Sequence, residues 1–204
     1  VGGSATYAAY AASNFIRPIY QVSIVGSDFP QDEMDALTSR GVSLEGVEVV
    51  PGKKSFFWSG KYHLDMNTRD TLVTDLNVLL DFNPLIPSSY QGAKFLMLGN
   101  LDPRIQQKVI HQLKERPRLI VMDTMNFWMT SAMPELEEVL KLVDVLMVNE
   151  SVRQILRDFK SHGQVGRRLV MFQDIVKQGG DSHLFAARRF DAGELQQVAD
   201  DLVR

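Results

Sequence analysis

Short apolar runs alternate along the chain with stretches of helical period. Residues 21–26 (QVSIVG) form one such run, and residues 95–100 (FLMLGN), 118–123 (RLIVMD) and 143–149 (VDVLMVN) form three more. The last three are apolar on both faces, as strands covered by helices on either side must be. They end in Asn100, Asp123 and Asn149, and the carboxyl ends of parallel strands are where open α/β sheets bind ligands. Between the runs the spacing predicts helices. Residues 103–115 open with Asp102 as N-cap and Pro103 in the first helical position, and place Ile105, Val109, Ile110 and Leu113 on one face. Residues 134–142 turn Leu136, Val139 and Leu140 inward. Residues 191–204 open with Asp191 and Glu194 at capping-box spacing and carry Leu195, Val198 and Leu202 on one stripe. This strand–helix rhythm predicts a mostly parallel sheet in an α/β sandwich, with residues 1–204 as one domain.

Residues 47–77 break the rhythm. GVEVVPG, SFFWSGKYH and DTLVTDL alternate apolar with polar positions, and a polar turn at 65–70 separates the last two. The segment reads as an antiparallel β-ribbon, either an edge extension or a lid. Such a ribbon exposes strand edges, so pairing into a homodimer through it is an expectation.

Composition narrows the classes. A chain of 204 residues that is 45% hydrophobic can bury a sizeable core. A net charge of -3 without blocks of like charge argues against a nucleic-acid partner. The absence of cysteine excludes disulfides, thiolate nucleophiles and cysteine-based zinc sites. No apolar run approaches the length needed to cross a bilayer, and no signal peptide opens the sequence, so a cytoplasmic protein is expected. The first residue is Val rather than Met, which suggests that residues precede it.

Few motifs carry chemistry by themselves. Gly2 and Gly3 precede Ser4 and an Ala-rich helix. Paired glycines let a ligand approach the backbone, and a helix N-terminus offers unpaired N–H groups; on spacing alone a tight turn before a closely packed helix accounts for them better. Gly46–Lys54 imitates a P-loop but has five residues between its glycines, and no helix is expected after it. No dinucleotide-binding glycine fingerprint and no nucleophile elbow occur. His63 and Asp65 share a strand face, which is too few ligands for a metal site; a solvated ribbon face explains them better. Trp58 and Trp128 read as packing residues, although Trp58 on the ribbon could roof a ligand. Asn149 and Glu150 end the most apolar strand. They suit either magnesium-bound phosphate, since magnesium takes oxygen ligands and keeps waters, or the cap of a following helix.

Taken together, GGSATYAAYAASNF, VSIVGSDFP, GVSLEGVEVV, the ribbon sequence, FLMLGNLDP, VMDTMNFW and VDVLMVNES occur in an order that resembles the PfkB-type, ribokinase-like carbohydrate kinases. The resemblance runs from Val1 to about Ser151. It implies a ribokinase-like three-layer α/β sandwich with a β-ribbon lid. It also implies transfer of the γ-phosphoryl group of ATP, with magnesium, to a hydroxyl of a small-molecule sugar or nucleoside. By the same resemblance Gly2, Gly3, Ser4 and Asn100 contact the acceptor, Asn149 and Glu150 lie near the phosphates and magnesium, and Lys177 and Gly179 lie near the nucleotide.

The sequence also departs from that pattern. Val152 stands three residues after Asn149, where the family has Glu, and Ser182 replaces a turn glycine. The family's Gly-Ala-Gly-Asp segment, which carries the catalytic base, does not occur, and no catalytic residue is nominated. The expectation is that these residues are a subset of a longer protein. The alternative is a non-catalytic ligand-binding protein on the same fold.

Overall fold

A computed structural model describes residues 2–64, 69–147 and 171–172. The chain divides into two compact units, residues 1–87 and 88–204.

In the first unit, α1 (Ser4–Ala12) leads to β1 (Ile19–Gly26), α2 (Gln31–Ser39) and β2 (Val42–Val50). Asp32 and Glu33 in the first turn of α2 complement its dipole. β1 and β2 pair in parallel, from Ile19 opposite Val42 to Gly26 opposite Val50. Small residues on α1 allow close packing: Ala9 joins Leu37 of α2 and Val42 of β2 in a core lined by Tyr10, Ile19 and Leu44. β3 (Phe57–Tyr62) and β4 (Arg69–Asp75) then form an antiparallel ribbon, followed by a 3-10 turn at Asn77–Asp81.

This corrects the expected start of the ribbon. Residues 47–50 belong to β2 and pair in parallel with β1, so the antiparallel pairing begins only at Phe57. β2 leaves Glu45, Glu48 and Val49 exposed. Glu45 and Glu48 interrupt its apolar residues, so this partly exposed parallel strand reads in sequence like a ribbon strand.

In the second unit, β5 (Phe95–Leu98), α3 (Pro103–Gln112), β6 (Leu119–Asp123), α4 (Asn126–Ser131), α5 (Met133–Leu140), β7 (Val145–Met147) and β8 (Met171–Phe172) follow in order. The four strands form one parallel sheet in the order β5-β6-β7-β8. Its core contains Leu98, Ile120, Met122, Leu136, Val139 and Leu146, with Leu96, Val109, Ile110 and Met133 packed against it. Fully burying each large aliphatic side chain contributes about 1.5–3 kcal/mol. Asp144, just before β7, accepts the Ile120 N–H at 2.9 Å and pairs with Arg116 at 2.8 Å, tying β7 to β6.

The three apolar strands and the inward face of α5 lie where the pattern predicts. So does the cap of α3, where the Asp102 carboxylate accepts the Arg104 N–H at 2.9 Å. One face of α3 differs. The expected stripe of Ile105, Val109, Ile110 and Leu113 is only half-buried, and the innermost long side chain is the polar Gln106, 2% exposed. Asn149, Glu150, Lys177, Gly179 and the helix expected at 191–204 lie outside the described residues.

Candidate active site

The sheet of the second unit brings polar groups together where β5 and β6 end. The β5–β6 ladder stops at Leu98 opposite Met122. Beyond it stand Gly99 and Asn100 on one strand, Asp123 and Thr124 on the other. Gln106 reaches them from α3, and its Nε2 donates to the Gly99 carbonyl at 2.7 Å and the Asp123 carbonyl at 3.1 Å. Gln106 Oε1 and Thr124 Oγ1 are buried without a hydrogen-bond partner. Buried polar atoms are normally paired, so two orphans beside one strand end are unusual.

Asn100 is oriented from α4. Trp128 Nε1 donates to Asn100 Oδ1 at 3.0 Å, which fixes the orientation of the amide, whose N–H groups can donate to a ligand. Phe127 packs edge-on against Trp128 with ring centroids 4.9 Å apart, and is itself exposed. Burial pushes the Asp123 carboxyl up from its ordinary value, partly opposed by a hydrogen bond from the Thr124 backbone. An amide donor and a partly buried carboxyl thus follow the ends of two adjacent strands, tied together through Gln106, at the carboxyl edge of a parallel sheet, the place where such sheets bind ligands.

The first unit carries the glycine pair. Gly3 caps α1 at φ 102°, a left-handed conformation that favours glycine, and no side chain caps the helix. Gly2, Gly3 and Ser4 are all exposed, and no heavy atom lies within 4 Å of where a Cβ on either glycine would stand. The backbone there is open to a ligand.

The ribbon of the same unit is anchored at its root. Ser55 Oγ accepts the Gly26 N–H at 2.9 Å, while Asp28 Oδ1 accepts the Ser55 N–H and hydroxyl at 2.7 and 2.8 Å. These bonds hold the Asp28 carboxyl below the usual carboxylate range. From the other side Asn77 Nδ2 donates to the Ser55 carbonyl at 2.8 Å, and Lys53 pairs with Asp81 at 3.0 Å. Farther out, Trp58 Nε1 donates to Thr71 Oγ1 at 3.3 Å, and the indole lies across Gly60, where a Cβ would overlap it. His63 pairs with Asp70 at 3.0 Å, a partner the sequence reading did not consider; Asp65 lies outside the described residues.

Among the described residues, no group of three or more His, Asp or Glu side chains could hold a metal ion. The residues expected near phosphate, magnesium and nucleotide are the four outside the described set. Of the acceptor-side expectations, Gly2, Gly3 and Ser4 sit together at the start of α1, and Asn100 sits with Trp128 at the end of β5. Sequence reasoning missed Gln106, Thr124 and Trp128 as members of this cluster, and noted Asp123 only as a strand end. A glutamine on the inward face of an amphipathic helix was the available signal.

No protein-family model matches the chain. A cytidine kinase of Thermococcus kodakarensis is 28% identical over 113 residues, 55% of this chain and 40% of that protein. Among solved structures, a nucleoside kinase of Methanocaldococcus jannaschii, described as an archaeal member of the ribokinase family, superposes with TM-score 0.67 at 14% identity, covering 84% of this chain and 58% of the other. A Burkholderia thailandensis nucleoside kinase in complex with inosine gives TM-score 0.64 at 17% identity, over 84% and 57%. A putative ribokinase II from E. coli, solved with ATP and Mg2+, gives 0.60 at 16% identity, over 84% and 61%. The resemblance to the ribokinase-like kinases is therefore present in the fold as well as in the sequence. The chain spans about 40% of the length of the curated relative it matches. No helix among the described residues is long and apolar enough to cross a membrane.

Proposed function

We propose that the protein carrying this chain transfers the γ-phosphoryl group of ATP, with magnesium, to a hydroxyl of a sugar or nucleoside. The observation that carries the reading is the polar cluster at the ends of β5 and β6 on a ribokinase-like fold, with Asn100 held by Trp128 and Asp123 at the end of the adjacent strand. In such a transfer the acceptor oxygen bonds to the γ-phosphorus, the bond to the leaving ADP oxygen breaks, and the acceptor proton passes to a base. Catalysis is mostly positioning and charge stabilisation. Asn100, with Gly2, Gly3 and Ser4, serves the acceptor. Asn149 and Glu150 serve phosphate and magnesium, and Lys177 and Gly179 serve the nucleotide.

The finer architecture belongs to the same reading: a three-layer sandwich whose ribbon, Phe57 to Asp75, acts as a lid that excludes water from the acceptor. Phe57, Tyr62, Leu72 and Val73 are exposed on that ribbon, which supports either cover over a ligand or pairing with a second copy. A cytoplasmic homodimer fits this picture. Nucleosides are the first acceptors to try, because the relatives named above include cytidine and nucleoside kinases.

The test is ATP consumption by the complete protein with a panel of nucleosides, pentoses and hexoses, with and without magnesium. Magnesium-dependent turnover with one class of acceptor is expected. Acceptor and ATP binding without turnover would replace this reading with a ligand-binding role.

A further inference from the structure

Gln106 is an unusual choice for its position. It faces the sheet from an amphipathic helix, is 2% exposed, and ranks among the largest fully buried side chains. A leucine there would bury apolar surface without desolvating an amide, which costs free energy unless its bonds are replaced. Only half of the amide is satisfied: Nε2 donates twice, while Oε1 has no partner. The two accepting carbonyls, of Gly99 and Asp123, lie just beyond the last paired residues of the β5–β6 ladder, Leu98 and Met122. One nitrogen therefore replaces the ladder where it stops and keeps two strand ends in register. Asn100 follows the first carbonyl, and Asp123 itself carries the second. Trp128 holds the Asn100 side chain from a different helix.

We propose that Gln106 is a positioning residue for acceptor binding: it clamps the carboxyl ends of β5 and β6 so that Asn100 and Asp123 present a hydrogen-bond donor and an acceptor to substrate hydroxyls. Asp123 is then a specificity-determining residue of the same subsite. This rests on the reading of the cluster as the acceptor site, although not on turnover. An untethered strand end lets the two groups drift apart, and hydroxyl recognition by a matched pair is sensitive to such misplacement.

The test is Gln106→Met, which keeps length and approximate volume but removes both donors. Binding of cytidine, inosine, ribose and fructose to the complete protein is measured by titration calorimetry without ATP, and KM for acceptor and for ATP is measured where turnover occurs. Displacement of Asn100 and Asp123 once the clamp is gone is expected to weaken binding of the preferred probe about tenfold. KM for ATP should stay within about twofold, because the clamp acts on the acceptor side. An unchanged acceptor affinity, or a parallel rise in both KM values, would overturn the proposal in favour of a purely structural glutamine. If Gln106→Met fails to fold, Asp123→Asn decides: a similar loss of acceptor affinity supports the subsite, and wild-type affinity overturns it. If the wild-type protein binds a probe but phosphorylates none, the kinase reading fails while the calorimetry still judges Gln106. If it binds none of the four, the subsite itself is refuted.

Discussion

Replacing Gly26 with alanine tests how the ribbon is attached to the first unit. Gly26 ends β1 where residues 53–55 cross it on their way to β3. A methyl group there would overlap the backbone of Lys53 and Lys54 and lie 2.6 Å from the Ser55 nitrogen. None of these atoms is the end of a flexible side chain, so the crossing segment itself must move. Forcing extra volume into a packed site costs about 1–3 kcal/mol. Moving the segment also weakens two hydrogen bonds, from Gly26 N–H to Ser55 Oγ at 2.9 Å and from Ser27 N–H to the Lys53 carbonyl at 3.1 Å, each contributing about 1 kcal/mol. The expected total is about 3 kcal/mol, a large share of the ~5–15 kcal/mol that stabilises an ordinary domain. Gly52→Ala is the control. Gly52 has φ 71° but open space around it, so its substitution costs only the left-handed conformation, about 1–2 kcal/mol. Urea unfolding followed by Trp58 fluorescence, in a Trp128→Phe background shared by all variants, reports on the first unit. A Gly26→Ala protein no less stable than Gly52→Ala would refute the steric reasoning.

Three further outcomes follow from the geometry. Asp123→Asn should change the pH dependence of stability. Burial raises the native Asp123 pKa, so wild-type stability declines as pH rises from about 4, the unfolded value, through the native pKa. The amide does not titrate, so the variant should be the more stable at pH 7, with the gap closing in denaturant titrations below about pH 4. Trp128→Phe removes the donor that holds Asn100 Oδ1, and acceptor affinity measured by calorimetry should fall about fivefold as the Asn100 amide loses its fixed orientation. Gly60→Ala should push the Trp58 indole off the ribbon face, because the new methyl would overlap the ring; emission should shift toward that of a solvated indole. The methyl would also press on the Asp70 carbonyl oxygen, 3.0 Å away, and the displaced indole loses its bond to Thr71, so a cost of about 1–3 kcal/mol is expected in the same unfolding assay.

Where the signal was local, the sequence was sufficient. Asp102 and Pro103 announce the start of α3 because capping is decided within one turn. The apolar runs mark β5, β6 and β7 correctly, although among the described residues only one face is fully buried: Ile120 and Met122 of β6 lie in the core, while Met97 and Met147 are exposed. Leu136, Val139 and Leu140 follow the helical period inward. The ordered set of motifs carried the resemblance to ribokinase-like kinases, and hence the fold. The pairing partner of β2 was not legible, since polar residues interrupt a partly exposed parallel strand much as they do a ribbon strand. Nor was the cluster at the sheet edge. Asn100 and Trp128 are 28 residues apart, and no periodicity signals that an indole on α4 will meet an amide after β5. Gln106 lies on the inward face of α3 by its spacing from Val109, Ile110 and Leu113, but spacing alone does not say which carbonyls it reaches. Its burial, and that of Asp123, depend on which elements pack over them. Local chemistry and hydrophobic period determined what the elements are; which polar groups become desolvated and face one another was decided only by tertiary packing, because desolvation is a property of neighbours distant in sequence.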